Sequence, residues 1–153
     1  MNDPQGSLWR RWDLHVHTPA SALNNQFGGD WDRYVHALFC GAISRNIAVV
    51  GVTDYYTVEG FRKLHDEYLA KHDALERVFA AELALDPSYL KRVREVTIFA
   101  NIEFRLDVAI EKGGTKKLNM HVLFAEDVSA KQIEDNFLSQ LAFTIQGIPQ
   151  GPD

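Results

Sequence analysis

Ile47-Ala48-Val49-Val50-Gly51-Val52-Thr53-Asp54 decides the fold class of this 153-residue chain. So long an apolar run suits a parallel strand covered on both faces, and it ends in a carboxylate. Immediately upstream, Asp30 is the expected N-cap of a helix from residue 31 to about 46, with Tyr34, Leu38, Ala42 and Ile43 on one face. Before that helix, residues 9 to 17 read as a strand with Trp12, Leu14 and Val16 on its apolar face and Asp13, His15 and His17 on the other; Pro19 ends it. Downstream, residues 58 to about 83 carry Leu, Ala, Glu, Lys and Arg at helical spacing until Asp86-Pro87 breaks the pattern, and a short helical piece follows from Tyr89 to Arg94. Residues 96 to 104 form a third strand, apolar apart from a late carboxylate, Glu103. Two arms, 106 to 110 and 117 to 124, flank a glycine-centred connection as in a hairpin. Ser129 caps a last helix to about Phe143, and the residues after Ile145 lack the stop signals of a finished domain. Strand and helix alternate, which predicts an α/β architecture with parallel strands and chemistry at their carboxyl ends.

Composition is that of one globular domain spanning residues 1–153, with 46% apolar and 24% charged residues. The formal net charge of -5 gives no general support to nucleic-acid binding, although bound cations would add positive charge locally. The single Cys40 permits no internal disulfide and reads as a buried structural thiol in a reducing compartment. No secretory or organellar leader and no membrane-spanning run is visible, so the expected location is the cytoplasm, without a membrane partner.

Two imidazoles two residues apart on a strand share a face, and His15 and His17 do so inside an otherwise apolar run. Paired neutral imidazoles are the usual ligands of a metal ion. Glu103, among Ile98, Phe99, Ile102 and Phe104, needs a partner for its charge: either a cation such as Arg105 or a metal. His121, between Met120 and Val122, reads alone as a hydrogen-bonded core histidine, and beside His15, His17 and Glu103 as a further ligand. Asp54 is left with three roles: helix cap, orienting partner of a ligating histidine, or catalytic ligand. His36, His65 and His72 fall beside charged residues on helices and receive no role. Trp9, Arg10, Arg11 and Trp12 read as a packed barrel floor or, less simply, as a base-stacking cluster, and Lys112, Lys116 and Lys117 as a solvated hairpin tip.

Asp13-Leu14-His15-Val16-His17-Thr18-Pro19-Ala20-Ser21, Val52-Thr53-Asp54, Asn101-Ile102-Glu103 and Met120-His121-Val122-Leu123 resemble, in order, the motifs of the PHP (polymerase and histidinol phosphatase) family. The resemblance spans His15 to about Phe124. It implies the first part of a (β/α)7 TIM-like barrel with a hairpin insertion. It also implies two or three divalent metals (Zn, Mn or Fe) and hydrolysis of phosphomonoesters or, as a nuclease, of phosphodiesters in DNA or RNA. His15 and His17 would hold one metal, Glu103 would bridge two, and His121 would serve the second. The opening Gly6-Ser7-Leu8-Trp9-Arg10-Arg11-Trp12 is similar to PHP domains at the N-terminus of SMC-like or TrlF-type ATPases linked to DNA processing or phage defence, which implies an ATPase partner. Tyr55 stands where the family has a histidine, no histidine follows Thr18 within the next several residues, and the family's later ligands would lie beyond Asp153. A degenerate module with a scaffolding or regulatory role is therefore the alternative. An amidohydrolase, which also starts with His-x-His, would need an interior strand lysine that these strands lack.

Overall fold

The structure is a computed structural model that describes residues 10–22, 26–111, 115–141, 143–145 and 148–150. Trp9, Lys112 and the glycines of the hairpin connection lie outside the described residues, as do the side chains of Lys116 and Lys117. Strands β1 (Arg11–His17), β2 (Ile47–Tyr55), β3 (Thr97–Glu111) and β4 (Thr115–Leu123) form one sheet in that order. β1, β2 and β3 run parallel, and β4 returns antiparallel to β3. The helices are α1 (Trp31–Ser44), α2 (Glu59–Lys63), α3 (His72–Val78), α4 (Ala80–Leu85), α5 (Tyr89–Arg94) and α6 (Ala130–Asn136).

The α/β alternation expected from the sequence is present, but the expected first part of a (β/α)7 barrel is not found among the described residues. The third strand and the first hairpin arm, expected as separate pieces, are one 15-residue strand, β3. Its far edge is occupied by β4 running antiparallel, where a barrel would place its next parallel strand. The described sheet is therefore open and mixed, with β1 and β4 at its edges.

Helix α1 starts where the sequence indicates, with Asp30 Oδ1 accepting from the Arg33 backbone N–H at 3.0 Å. It ends at Ser44, and Asn46 just past the C-cap Arg45 takes a φ of 54°, the left-handed conformation that asparagine tolerates after a helix terminus. The long helix expected over 58–83 is broken into α2, a π-helical turn at Leu64–Leu69, α3 and α4. Ala70 N–H bonds His65 O across the wide turn, which rotates the apolar stripe so that Phe61, Leu64, Tyr68, Leu75 and Phe79 all reach the core. Ser129 and Gln132 form the capping box of α6, yet α6 ends at Asn136, and a 3-10 turn (Leu138–Gln140) precedes the short strands β5 (Phe143–Ile145) and β6 (Ile148–Gln150).

The core lies on one face of the sheet, where Val50, Val52, Ile98, Ala100 and Ile102 meet Tyr34, Phe39, Leu64, Leu75, Phe79 and Ile133. Burying each large apolar side chain contributes about 1.5–3 kcal/mol, so this face fixes the register of every strand. Register in turn sets the opposite face, where Thr53 aligns with Asn101, Tyr55 with Glu103, and Glu103 with His121. Trp12 is 58% exposed, so it does not pack as a floor. Among the described residues no helix is long and apolar enough to cross a membrane.

Candidate metal centre

His15 and His17 emerge from the end of β1 onto the face opposite the core, and the parallel register carries Glu103 of β3 to the same place. His15 Nε2 lies 3.1 Å from both His17 Nε2 and Glu103 Oε2. His17 Nε2 is 3.4 Å from the same carboxylate oxygen. In a tetrahedral zinc site, donors about 2.0–2.1 Å from the ion stand about 3.3 Å from one another. The three atoms are thus already spaced as ligands of one cation, and two imidazoles with a carboxylate suit Zn, Mn or Fe.

Two of the three donors have a support outside the group. Asn119 Nδ2 donates to the other Glu103 oxygen, Oε1, and Ser21 Oγ lies 3.1 Å from His17 Nδ1, the ring nitrogen that does not face the cluster. The Tyr55 ring stacks on His17 with centroids 4.9 Å apart. The His17 pKa lies below the ordinary imidazole value because of burial and then the neighbouring His15, with Glu103 opposing; a neutral ring keeps its lone pair for a cation. Glu103 is 1% exposed, and among the described residues its ion-pair partners are His15 and His17. The arginine partner considered for it does not form: the Arg105 guanidinium sits instead over the Tyr55 ring, 5.0 Å from its centroid.

His121 is delivered by the antiparallel return of β4, directly opposite Glu103. Its ring meets that of His15 edge-on with centroids 4.5 Å apart, but its nitrogens are not part of the three-donor group. Its Nδ1 lies 3.1 Å from Asn101 Nδ2, which also donates to Leu14 O at 2.7 Å and approaches Thr53 Oγ1 at 2.9 Å. The Leu14 carbonyl is turned onto the sheet by the register shift between Asp13 and Val16, and Gly51 makes room for it, since a Cβ there would meet Leu14 backbone atoms. Asn101 thus ties the irregular end of β1 to the His121 ring.

Asp54 points elsewhere. Its carboxylate accepts from the Thr18 backbone N–H (3.3 Å), from the Thr18 hydroxyl (2.8 and 2.9 Å) and from the Gly60 N–H (3.1 Å). Of the roles left open by the sequence, the Gly60 contact matches the helix cap, and the Thr18 contacts make Asp54 also a brace between the turn after β1 and the start of α2. Burial pushes its pKa up to about 6 against the opposing pull of those hydrogen bonds.

Comparison with known proteins finds no matching family model, no matching curated protein and no matching solved structure. The geometry stands alone.

The roles of Asn101, Asn119 and the stacked Tyr55–Arg105 pair escaped the sequence reading. Period-two alternation was the available signal, because Asn101 and Arg105 flank Glu103 by two residues and Asn119 precedes His121 by two. Beside β1 and α1, a cleft of about 320 Å3 lined by Asp13, His15, His17, Phe27, Tyr34 and Arg45 gives the histidines an approach from solvent.

Proposed function

We propose that the chain is a divalent-metal-dependent phosphoesterase, hydrolysing phosphomonoesters or the phosphodiesters of DNA or RNA. The observation that carries this reading is the convergence of His15 Nε2, His17 Nε2 and Glu103 Oε2 within 3.1–3.4 Å around a fully buried carboxylate. A cation held by these three residues supplies Lewis acidity toward a phosphoryl oxygen and lowers the pKa of water. Asn119 holds Glu103 in its ligating orientation, and Ser21 orients His17. Arg105, exposed and two residues from Glu103 on the same strand face, offers a planar cation suited to phosphate oxygens. The order of the four PHP-like motifs supports phosphoester chemistry over other hydrolysis. A second cation would draw on His121 and Glu103. The smaller open sheet does not weigh against the site itself, since three donors meet without a barrel.

One observation favours a second reading, a degenerate module serving a larger ATPase-linked assembly: Tyr55, stacked on His17, fills the place where the motif has histidine. Incubating the chain with Mn2+ and either a chromogenic phosphomonoester or short DNA and RNA separates the two. Metal-dependent cleavage that disappears in Glu103→Gln supports the enzyme, and inertness of a protein shown to bind Mn2+ supports the module.

A further inference from the structure

A second group of ligating side chains converges among the helices, away from the sheet. His36 and Cys40 stand one turn apart on α1 and share a face, and Glu82 of α4 reaches the same point. His36 Nε2 is 2.7 Å from Glu82 Oε1, while Cys40 Sγ is 3.6 Å from His36 Nε2 and 3.9 Å from Glu82 Oε1. The Tyr89 hydroxyl, at the start of α5, lies 3.3 Å from the same sulfur.

A surface ion pair accounts for His36 and Glu82 but not for the rest. It leaves unexplained why one thiol stands within reach of both partners. It also leaves Glu82 Oε2, a buried carboxylate oxygen without a hydrogen-bond partner among the described residues. The backing is rigid: the His36 ring stacks on Phe79 with centroids 5.5 Å apart, and Phe79 is fully buried against Phe39 and Tyr89. For Zn–S near 2.3 Å and Zn–N near 2.0–2.1 Å, a tetrahedral site sets sulfur and nitrogen about 3.6 Å apart and nitrogen and oxygen about 3.3 Å apart. The sulfur already meets that spacing. The His36–Glu82 contact is at hydrogen-bond length, held by the proton that a cation would replace, and would open by about half an ångström.

We propose that His36, Cys40 and Glu82 form a second metal site, separate from the His15–His17–Glu103 centre, that binds a divalent transition ion of zinc-like softness. Thiolate, imidazole and carboxylate supply three ligands, leaving a fourth position that faces the Tyr89 hydroxyl or solvent. On binding, the Cys40 thiol loses its proton to solvent and becomes the thiolate ligand, so the two negative ligands balance the charge of the ion. The site clamps α1 to α4, elements otherwise joined through α3 and α5, behind the sheet that carries the first centre. The thiolate also distinguishes the two centres, because a hard ion such as Mn2+ prefers the histidine–carboxylate site and a softer one the cysteine site.

Titrating the full 153-residue chain with Co2+ tests this. The expected result is a thiolate-to-cobalt charge-transfer band in the near ultraviolet with tetrahedral visible bands, saturating within two equivalents, one for each centre. The band should persist when His15 and His17 are both replaced by Ala, vanish in Cys40→Ser, and require at least tenfold more cobalt in Glu82→Gln. Absence of the band in the unmodified chain at saturating cobalt, or its persistence in Cys40→Ser, overturns the proposal. A measurement that needs no variant gives the same decision. Zinc should slow alkylation of Cys40 by iodoacetamide at least tenfold, and an unchanged rate refutes the site.

Discussion

Replacing Glu103 by Gln separates ligand from structural strut, because the change keeps volume and removes only charge. Glu103 is 1% exposed, accepts from Asn119 through Oε1 and faces His15 and His17 through Oε2. Glutamine still offers one oxygen to Asn119, and its amide N–H groups satisfy an imidazole lone pair. Because the His17 ring beside it is held toward its neutral form, the metal-free carboxylate is a poorly compensated buried charge, and removing it relieves a desolvation cost. The metal-free Tm should therefore stay within about 3 °C of the parent or rise, since 1 kcal/mol moves the Tm of a chain this size by about 2–4 °C. With Mn2+ at about one hundred times its dissociation constant, the parent gains about 2.7 kcal/mol, or roughly 5–11 °C, and the variant gains almost nothing at the same concentration. Mn2+ is the right probe because it avoids the thiolate of Cys40. Differential scanning calorimetry at matched ionic strength reads both numbers. A variant stabilised by Mn2+ as strongly as the parent would show that Glu103 does not bind the ion, and one that is unfolded without metal would show that the carboxylate is there for the fold.

Other perturbations address the supports. Asn119→Ala leaves a buried Glu103 oxygen unsatisfied, so Mn2+ affinity should fall roughly 10–100-fold by calorimetric titration, the usual range for losing a partner that orients a ligand; unchanged affinity would remove Asn119 from the site. Gly60→Ala places a methyl against Asp54 Oδ2 and Thr18 Oγ1, and overpacking of this kind costs about 1–3 kcal/mol; urea unfolding that shifts by less than 0.5 kcal/mol would contradict the brace. Asp54 has a folded pKa of about 6, above the ordinary value of 3.8, so the folded state holds its proton more tightly and stability declines as pH rises from about 4 through 6, by at most about 3 kcal/mol. Relative to Asp54→Asn, which does not titrate, urea unfolding should show that decline, and a difference that grows with pH would reverse the reading.

The fold and the site were legible to different depths because they depend on different ranges of interaction. Asp30 and Ser129 announced their helices through bonds to residues three positions on, which is information a short window contains. The break at Leu64–Leu69 was hidden, because Leu, Ala, Glu and Lys favour any helical turn and only packing on the core chose the wide one. The barrel expectation failed at β3 for a similar reason. Residues 96–104 and 106–110 each read as a strand, but whether they join, and which direction their neighbour runs, is decided by hydrogen bonds to β4 across the hairpin.

Three predicted ligands converge although the predicted fold does not form, because sheet register alone brings them together. His15 and Glu103 are 88 residues apart, yet their meeting needs only two parallel registers, β1 on β2 and β2 on β3, each pinned by core residues on the opposite face. The antiparallel strand then adds Asn119 and His121 from a single short return. A face that alternates with a well-packed core is rigid without further scaffolding, so preorganised ligand spacing follows from the sheet itself. Its weak point is the end of β1, an edge strand whose turn is held by Thr18, Asp54 and Gly60. Loosening that brace should therefore lower Mn2+ affinity as well as stability, even though Asp54 is not one of the three converging donors. If Gly60→Ala destabilises the chain but leaves Mn2+ affinity within twofold of the parent, the two histidines are positioned by the sheet register alone and the brace serves only the fold.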